Sequence, residues 1–306
     1  MNLSVQLSVV IVNYKNPHLI RQCVQSIVDM ERDFPYEIVV VDNDSQDDSE
    51  IIIKNICPDL IWIQMGYNSG FAKANNVGVK AARGKYILYL NSDTRLIEPV
   101  FKEMIKQLDS EKSVGIVGCK MVNNQLELQH SYHNSDCFFR KLWWRNPLAI
   151  KMFNVTSRIN KYNDNLIKKH CENNYVPWIS GAIMLTKRDY VLKNDLFWDE
   201  DFFMYWEDVD LCYRFIKKGF KIKYLYSPSI VHIGGGGENI VIARFEQSEM
   251  AKWQFIRKHH GRLYSFVYRR LLMLELRMEY ELEKRKKSDI HGILEKEFAY
   301  YGIIKK

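Results

Sequence analysis

The chain's 306 residues are enough for one large α/β domain with an appendage, or for two small domains. Its 47% hydrophobic and 26% charged residues are ordinary for a soluble globular protein with a sizeable core, and six scattered cysteines without a C-x-x-C pair suggest neither a zinc knuckle nor a disulfide framework. The net charge of +7 is concentrated near the C-terminus, where Ala251 to Asp289 holds eleven Lys or Arg against five Asp or Glu, a balance suited to an anionic surface.

Leu7-Ser8-Val9-Val10-Ile11-Val12 predicts a buried strand ending at Asn13-Tyr14, and a helix follows from about His18 to Met30 with Leu19, Cys23 and Ile27 on one face. Glu37 to Val41 is a second strand, stopping at Asp42-Asn43-Asp44-Ser45, and the acidic run from Gln46 to Glu50 opens another helix. Ile61 to Gln64 is a third strand, followed by Asn68-Ser69-Gly70-Phe71 and a helix through Asn75, Asn76 and Ala81. The central strand, Tyr86 to Leu90, ends in Asn91-Ser92-Asp93-Thr94. This alternation predicts an α/β fold, a mostly parallel sheet with helices on both faces.

In such a sheet, ligands bind beyond the carboxyl ends of the strands. Four successive strands end in Asn13 and Tyr14, Asp42 and Asp44, Asn68, and Asn91 with Asp93, which would share one rim. Turn chemistry alone also favours Asn, Asp and Gly at such ends, and Asp93 is equally readable as a helix cap. A carboxylate at that rim suits a divalent cation held against a phosphate. No G-x-G-x-x-G or P-loop appears, which argues against a dinucleotide dehydrogenase and a P-loop hydrolase.

Val114 to Gly118 is a further short strand, and an irregular excursion over about 123–176 follows. Within it, Trp143-Trp144 between basic residues suits a sugar or a membrane interface, although most such pairs are simply packed. Trp178 to Leu185 reads as a strand with a kink at Ser180-Gly181. Next, Trp198 to Arg214 combines aromatic residues with Glu207, Asp208 and Asp210 at the start of a helix. A first-turn preference explains acidic residues there, but apolar rings beside a carboxylate would also raise its proton affinity, as a general base requires. Ile222 to Tyr226 and Ile230 to Ile233 are two last strands, and His232 precedes Gly234 to Gly237, four glycines suited to a mobile lid. A histidine at a strand end is commonly structural.

The blocks Val10 to Tyr14, Val41 to Ser45, Asn68 to Ala72, Asn75 to Gly78, Asn91 to Asp93, Trp178 to Ala182 and Phe202 to Arg214 together resemble inverting nucleotide-sugar glycosyltransferases of family 2, with the GT-A fold. Within that family they are similar to bacterial rhamnosyltransferases of cell-surface polysaccharide assembly. The resemblance implies that Tyr14, Asp42, Asp44, Asn68 and Asn91 lie on the donor side, and that Asp93 binds Mg2+ or Mn2+ with His232 as a further ligand. It also implies Asp208 as the catalytic base, with Trp178, Gly181 and Glu207 on the acceptor side. Asn91 replaces the first carboxylate of the family's D-x-D-type motif, leaving fewer carboxylates facing the metal. The expected donor is dTDP-rhamnose, with a UDP-hexose or UDP-N-acetylhexosamine as the alternative, and the expected acceptor is a glycan or lipid-linked hydroxyl. An inactive membrane-associated scaffold is a third reading, and nucleic acid is not an expected partner.

The family domain is expected over 1–249, with a helical region over 250–306. In the latter, Trp253, Phe255, Phe266, Leu271, Leu272, Leu274 and Leu276 alternate with Lys252, Arg257, Lys258, Arg262, Arg269 and Arg270. This composition suits a helix pair on an anionic membrane, or equally one packed on the catalytic domain or a second subunit. Met1 to Gln6 lacks a signal-peptide pattern and no apolar run would span a bilayer, so the expected place is the cytoplasm, peripherally on the inner face of the cell membrane.

Overall fold

Four apolar runs form β1 (Leu7–Asn13), β2 (Tyr36–Asp42), β3 (Ile61–Gln64) and β4 (Tyr86–Asn91) in the computed structural model, which describes residues 5–132, 167–234 and 238–286. These four strands are parallel, with Asn13 opposite Asp42 and Asp42 opposite Gln64, so their carboxyl ends share one rim. The sheet continues through β5 (Thr94–Leu96), β6 (Val114–Val122), β7 (Leu128–Gln129), β8 (Asn174–Val176), β9 (Ile183–Lys187) and β10 (Lys221–His232). Its order is β3-β2-β1-β4-β9-β6-β10-β5, with β9 antiparallel to both neighbours, β7 beside β6 and β8 beside β10.

Side chains alternate across a strand, so each face of the sheet collects its own helices. Leu7, Val9 and Ile11 point to the core shared with α1 (Pro17–Met30), α2 (Ser49–Lys54) and α4 (Phe101–Asp109), where Ile20, Ile27, Ile53, Phe101 and Met104 are buried. On the opposite face, α3 (Phe71–Ala81) brings Gly78 against Val10 and Val41, and a Cβ there would stand 2.4 Å from Val10 Cγ1. The remaining helices among the described residues are α5 (Arg188–Asn194), α6 (Glu207–Lys217) and α7 (Glu238–Lys286).

Several expectations need correction. The strand expected over Trp178 to Leu185 begins only at Ile183, because the preceding backbone bonds elsewhere: Ser180 N donates to Ser131 O and Gly181 N to Asp208. The two short strands expected around Tyr226 and Ile230 are the single strand β10, whose register against β6 shifts between Leu225 and Ser229, around Pro228. Helix α4 has no polar N-cap of its own. Its first N–H groups are met by buried Glu31, which accepts from Val100 and from Phe101 at 2.9 Å, seventy residues along the chain.

The chain divides into two compact units, Met1–Asn134 with Lys169–Gly235 and Ser135–Lys168 with Gly236–Lys306. The sheet lies in the first. In the second, α7 is broken at Gly261 (φ 81°, ψ 172°), and Trp253 and Tyr268, from either side of the break, have ring centroids 6.2 Å apart. Trp143-Trp144, three glycines of the Gly234 to Gly237 run and residues 287–306 lie outside the described residues. Among the described residues no helix is long and apolar enough to cross a membrane.

Candidate active site

Helix α6 begins at the two carboxyls singled out in the sequence. Asp208 Oδ1 accepts from Val209 N at 2.8 Å, and Oδ2 accepts from Gly181 N at 3.1 Å. Both bonds and the positive end of the helix favour its charged form, while burial acts against it and prevails, raising its proton affinity. Glu207 is 8% exposed, and among the described residues its Oε2 is buried without a partner. Burial, then the Asp208 charge, pushes the Glu207 carboxyl up to about 8. The charge on Asp208 is one of the causes that raise Glu207, so the two carboxyls titrate as a coupled pair.

The turn before α6 is unusual. Tyr205 and Trp206 both have left-handed φ values, 71° and 66°, uncommon for bulky residues. Trp206 O accepts from Asp210 N at 2.8 Å, and Phe203 O accepts from Phe71 N at 2.9 Å, which ties the turn to both flanking helices. Gly70 (φ 81°) sits beneath it, and a Cβ there would approach Phe203 O to 2.6 Å. Upstream, Asn76 Nδ2 donates to Trp198 O at 2.8 Å and Glu200 Oε1 at 3.0 Å, and its Oδ1 accepts from Trp198 N at 2.9 Å.

Asp93 lies two residues beyond β4, and His232 ends β10 opposite Thr94. His232 Nε2 and Asp93 Oδ1 are 3.4 Å apart. Gln129 fixes the imidazole: its Nε2 donates to His232 O at 2.9 Å, which turns its Oε1 toward Nδ1 at 3.1 Å. The amide oxygen thus holds the Nδ1 side of the ring, and Nε2 is the nitrogen that faces Asp93. Asn91 Oδ1 is buried and, among the described residues, has no partner. One carboxylate and one imidazole suit a hard or borderline divalent cation that takes its other ligands from elsewhere. No group of three or more His, Cys, Asp or Glu gathers for a metal among the described residues. Asn91 also links this side to Asp208, since its N–H donates at 3.0 Å to the carbonyl of Ala182, next to Gly181, whose N–H bonds Asp208.

The loops after β1 to β3 form a tight network. Asp42, 1% exposed, accepts from Asn13 Nδ2 (2.8 Å), Ser45 N (2.9 Å), Ser45 Oγ (2.5 Å) and Gln64 Nε2 (2.8 Å). These four bonds orient the carboxylate on the rim, where Asp42 was expected on the donor side. Asn43, not singled out in the sequence, joins two loops by donating to Asn68 Oδ1 (3.0 Å) and Gly70 O (3.1 Å) while accepting from Ser69 N (2.9 Å). Tyr14 is 37% exposed, Asp44 is half-buried with a φ of 71°, and Trp178 is half-buried.

The model of the family described as glycosyl transferase family 2 matches residues 8–190. Similar relatives include the rhamnosyltransferase WbbL of Escherichia coli K12, 25% identical over 73% of this chain and 82% of its own. The O-antigen biosynthesis protein RfbC of Myxococcus xanthus is 22% identical over 73% of this chain, which spans only 17% of that protein. Among solved structures, S. aureus TarS aligns with a TM-score of 0.56 and 17% identity over 90% of this chain and 44% of its own. GalNAc-T7 with UDP, GalNAc and Mn2+ aligns at 0.58 and 15% over 84% and 50%. The fold is the GT-A fold of these glycosyltransferases. With the family model matching more than half of its residues, the chain belongs to glycosyl transferase family 2.

Proposed function

We propose that the chain transfers a hexose, L-rhamnose from dTDP-rhamnose, to a hydroxyl of a glycan or lipid-linked acceptor in cell-surface polysaccharide synthesis, by a single displacement that inverts the anomeric carbon. The observation that carries the reading is Asp208. It is a carboxylate oriented by Gly181 N–H and Val209 N–H, of raised proton affinity, on the rim where the parallel strands end. Asp208 takes the acceptor hydroxyl's proton as the new bond forms, and Glu207, still protonated, donates a hydrogen bond from its unpartnered Oε2 to the acceptor. Asp93 and His232 would hold Mg2+ or Mn2+, with Gln129 fixing the imidazole and Asn91 beside them. Such a cation neutralises charge developing on a departing diphosphate. Tyr14, Asp44 and Asn68 line the donor side, while Trp178 faces the acceptor. The similarity to WbbL over most of both chains supports rhamnose as the sugar.

A UDP-sugar is the second reading, favoured by the likeness to TarS 1-349 in complex with UDP-GlcNAc, at a TM-score of 0.54. Thermal unfolding with dTDP-rhamnose, UDP-glucose, UDP-galactose and UDP-N-acetylglucosamine, with Mn2+ and with chelator, separates them, because a ligand of the folded state raises the midpoint. A metal-dependent rise with dTDP-rhamnose alone, lost in Asp93→Ala, is the expected result. A rise with a UDP-sugar instead would sink the rhamnose assignment.

A further inference from the structure

From Ala251 to Leu274 the chain has no Asp or Glu, yet it holds Lys252, Arg257, Lys258, Arg262, Arg269 and Arg270. The helical segment after Gly261 separates its residues by face. Ser265 and Tyr268 are 3% exposed each, with Tyr268 turned to Trp253 and within 5.9 Å of Lys252 Nζ. At about 100° per residue, Leu263, Phe266, Val267, Arg270 and Leu274 fall within one sector of about 100°, roughly opposite Tyr268. Those four apolar residues are 78%, 54%, 45% and 57% exposed, and Arg262, Arg269 and Arg270 are exposed as well. Arg270 lies over the Phe266 ring, 5.1 Å from its centroid. Phe255, expected to share this face, is 7% exposed and belongs to the covered side.

Leaving four large apolar side chains in water is unfavourable, so the stripe calls for a cover. We infer that this face of α7 docks on an anionic lipid bilayer, with Leu263, Phe266, Val267 and Leu274 entering the boundary between headgroups and acyl chains. The arginines then meet lipid phosphates. Charge decides against a second copy of this chain: a two-fold contact through the stripe would bring Arg262, Arg269 and Arg270 together with no acidic residue among the segment's exposed positions. A nucleic acid would engage the arginines but leave the apolar stripe wet. An apolar stripe that holds one arginine and is flanked by two more is what an interfacial helix requires.

The test is flotation of the full chain with vesicles of phosphatidylcholine, and of phosphatidylcholine mixed with phosphatidylglycerol. It does not depend on the transfer reaction. The expected result is binding to the mixed vesicles that weakens with salt, with a loss of about tenfold or more in both Phe266→Asp and the double variant Arg269→Glu, Arg270→Glu. Circular dichroism and donor-dependent thermal shift, read on the same variants, report whether the fold survives. Absence of binding to mixed vesicles, or binding equal in wild type and both folded variants, overturns the proposal. So does a wild-type dimer by light scattering that Phe266→Asp converts to monomer, since the stripe would then be a subunit contact.

Discussion

Asp208 and Glu207 are neighbours with opposite hydrogen-bonding situations, and their difference yields the sharpest predictions. Asp208 is held by two backbone N–H groups, whereas Glu207 Oε2 is buried without a partner among the described residues. Asp208→Asn keeps shape and removes the proton acceptor, so kcat is expected to fall about 10^2–10^4-fold while donor-dependent thermal stabilisation persists. If neutral Glu207 donates to the acceptor, wild-type kcat should decline as pH rises through about 8. Glu207→Gln retains a donor and cannot ionise, so that alkaline decline should vanish from its profile; a decline that survives in the glutamine variant would remove Glu207 from this role. These two carboxyls, Asp93 and His232 were legible in the sequence because each stands at the end of an obvious element. Gln129 and Asn43 were not, since their partners lie 103 and 25 residues away and only the folded sheet brings them together.

At the level of elements, the turn before α6 is held in place by its neighbours rather than by its own preference. Two left-handed aromatic residues cost about 1–3 kcal/mol each, and the bonds from Phe71 N and Asp210 N, with the Asn76 clamp on Trp198 and Glu200, hold the turn against that cost. Removing the clamp in Asn76→Ala leaves Trp198 O and N unpaired at a buried position, and a loss of about 2–4 kcal/mol is expected by chemical denaturation. Gly70→Ala combines a left-handed φ with an approach of 2.6 Å to a backbone oxygen, so it should displace Phe203 and lower kcat together with stability. The same length scale explains what could be read of the fold. Continuous apolar runs announced β1 to β4 and the helices between them. The position of β9, inserted antiparallel between β4 and β6, follows from pairing across distant chain segments, which no local pattern encodes. The start of α4 was equally hidden, because its cap is Glu31.

Across the whole molecule, buried carboxyls set how stability depends on pH. Burial raises the carboxyls of Glu31, Glu207 and Asp208. Burial works the same way on Glu37 and Asp109, but bonds from Ser8 and Arg83, and from Lys187 and Tyr86, outweigh it and hold these two below the usual range. A carboxyl lowered by folding stabilises above its unfolded value, and that contribution disappears as pH falls through the folded one. A raised carboxyl does the reverse: folding binds an extra proton, so stability is full below the unfolded value of about 4.5 and is lost as pH rises through the folded value. For Glu207 that window runs from about 4.5 to about 8. The chain should therefore be most stable in mildly acid solution and lose, from this residue alone, on the order of a few kcal/mol by pH above 8. If Asp208 is the base proposed above, activity needs its carboxyl ionised, while the stability drawn from Glu207 needs that neighbour protonated. Glu207→Gln removes one titrating group from the folded state without removing its volume, so its melting temperature, measured from pH 5 to 9, should fall less steeply than that of the wild type. Parallel curves for the two proteins would mean that Glu207 is not the group whose burial the fold opposes.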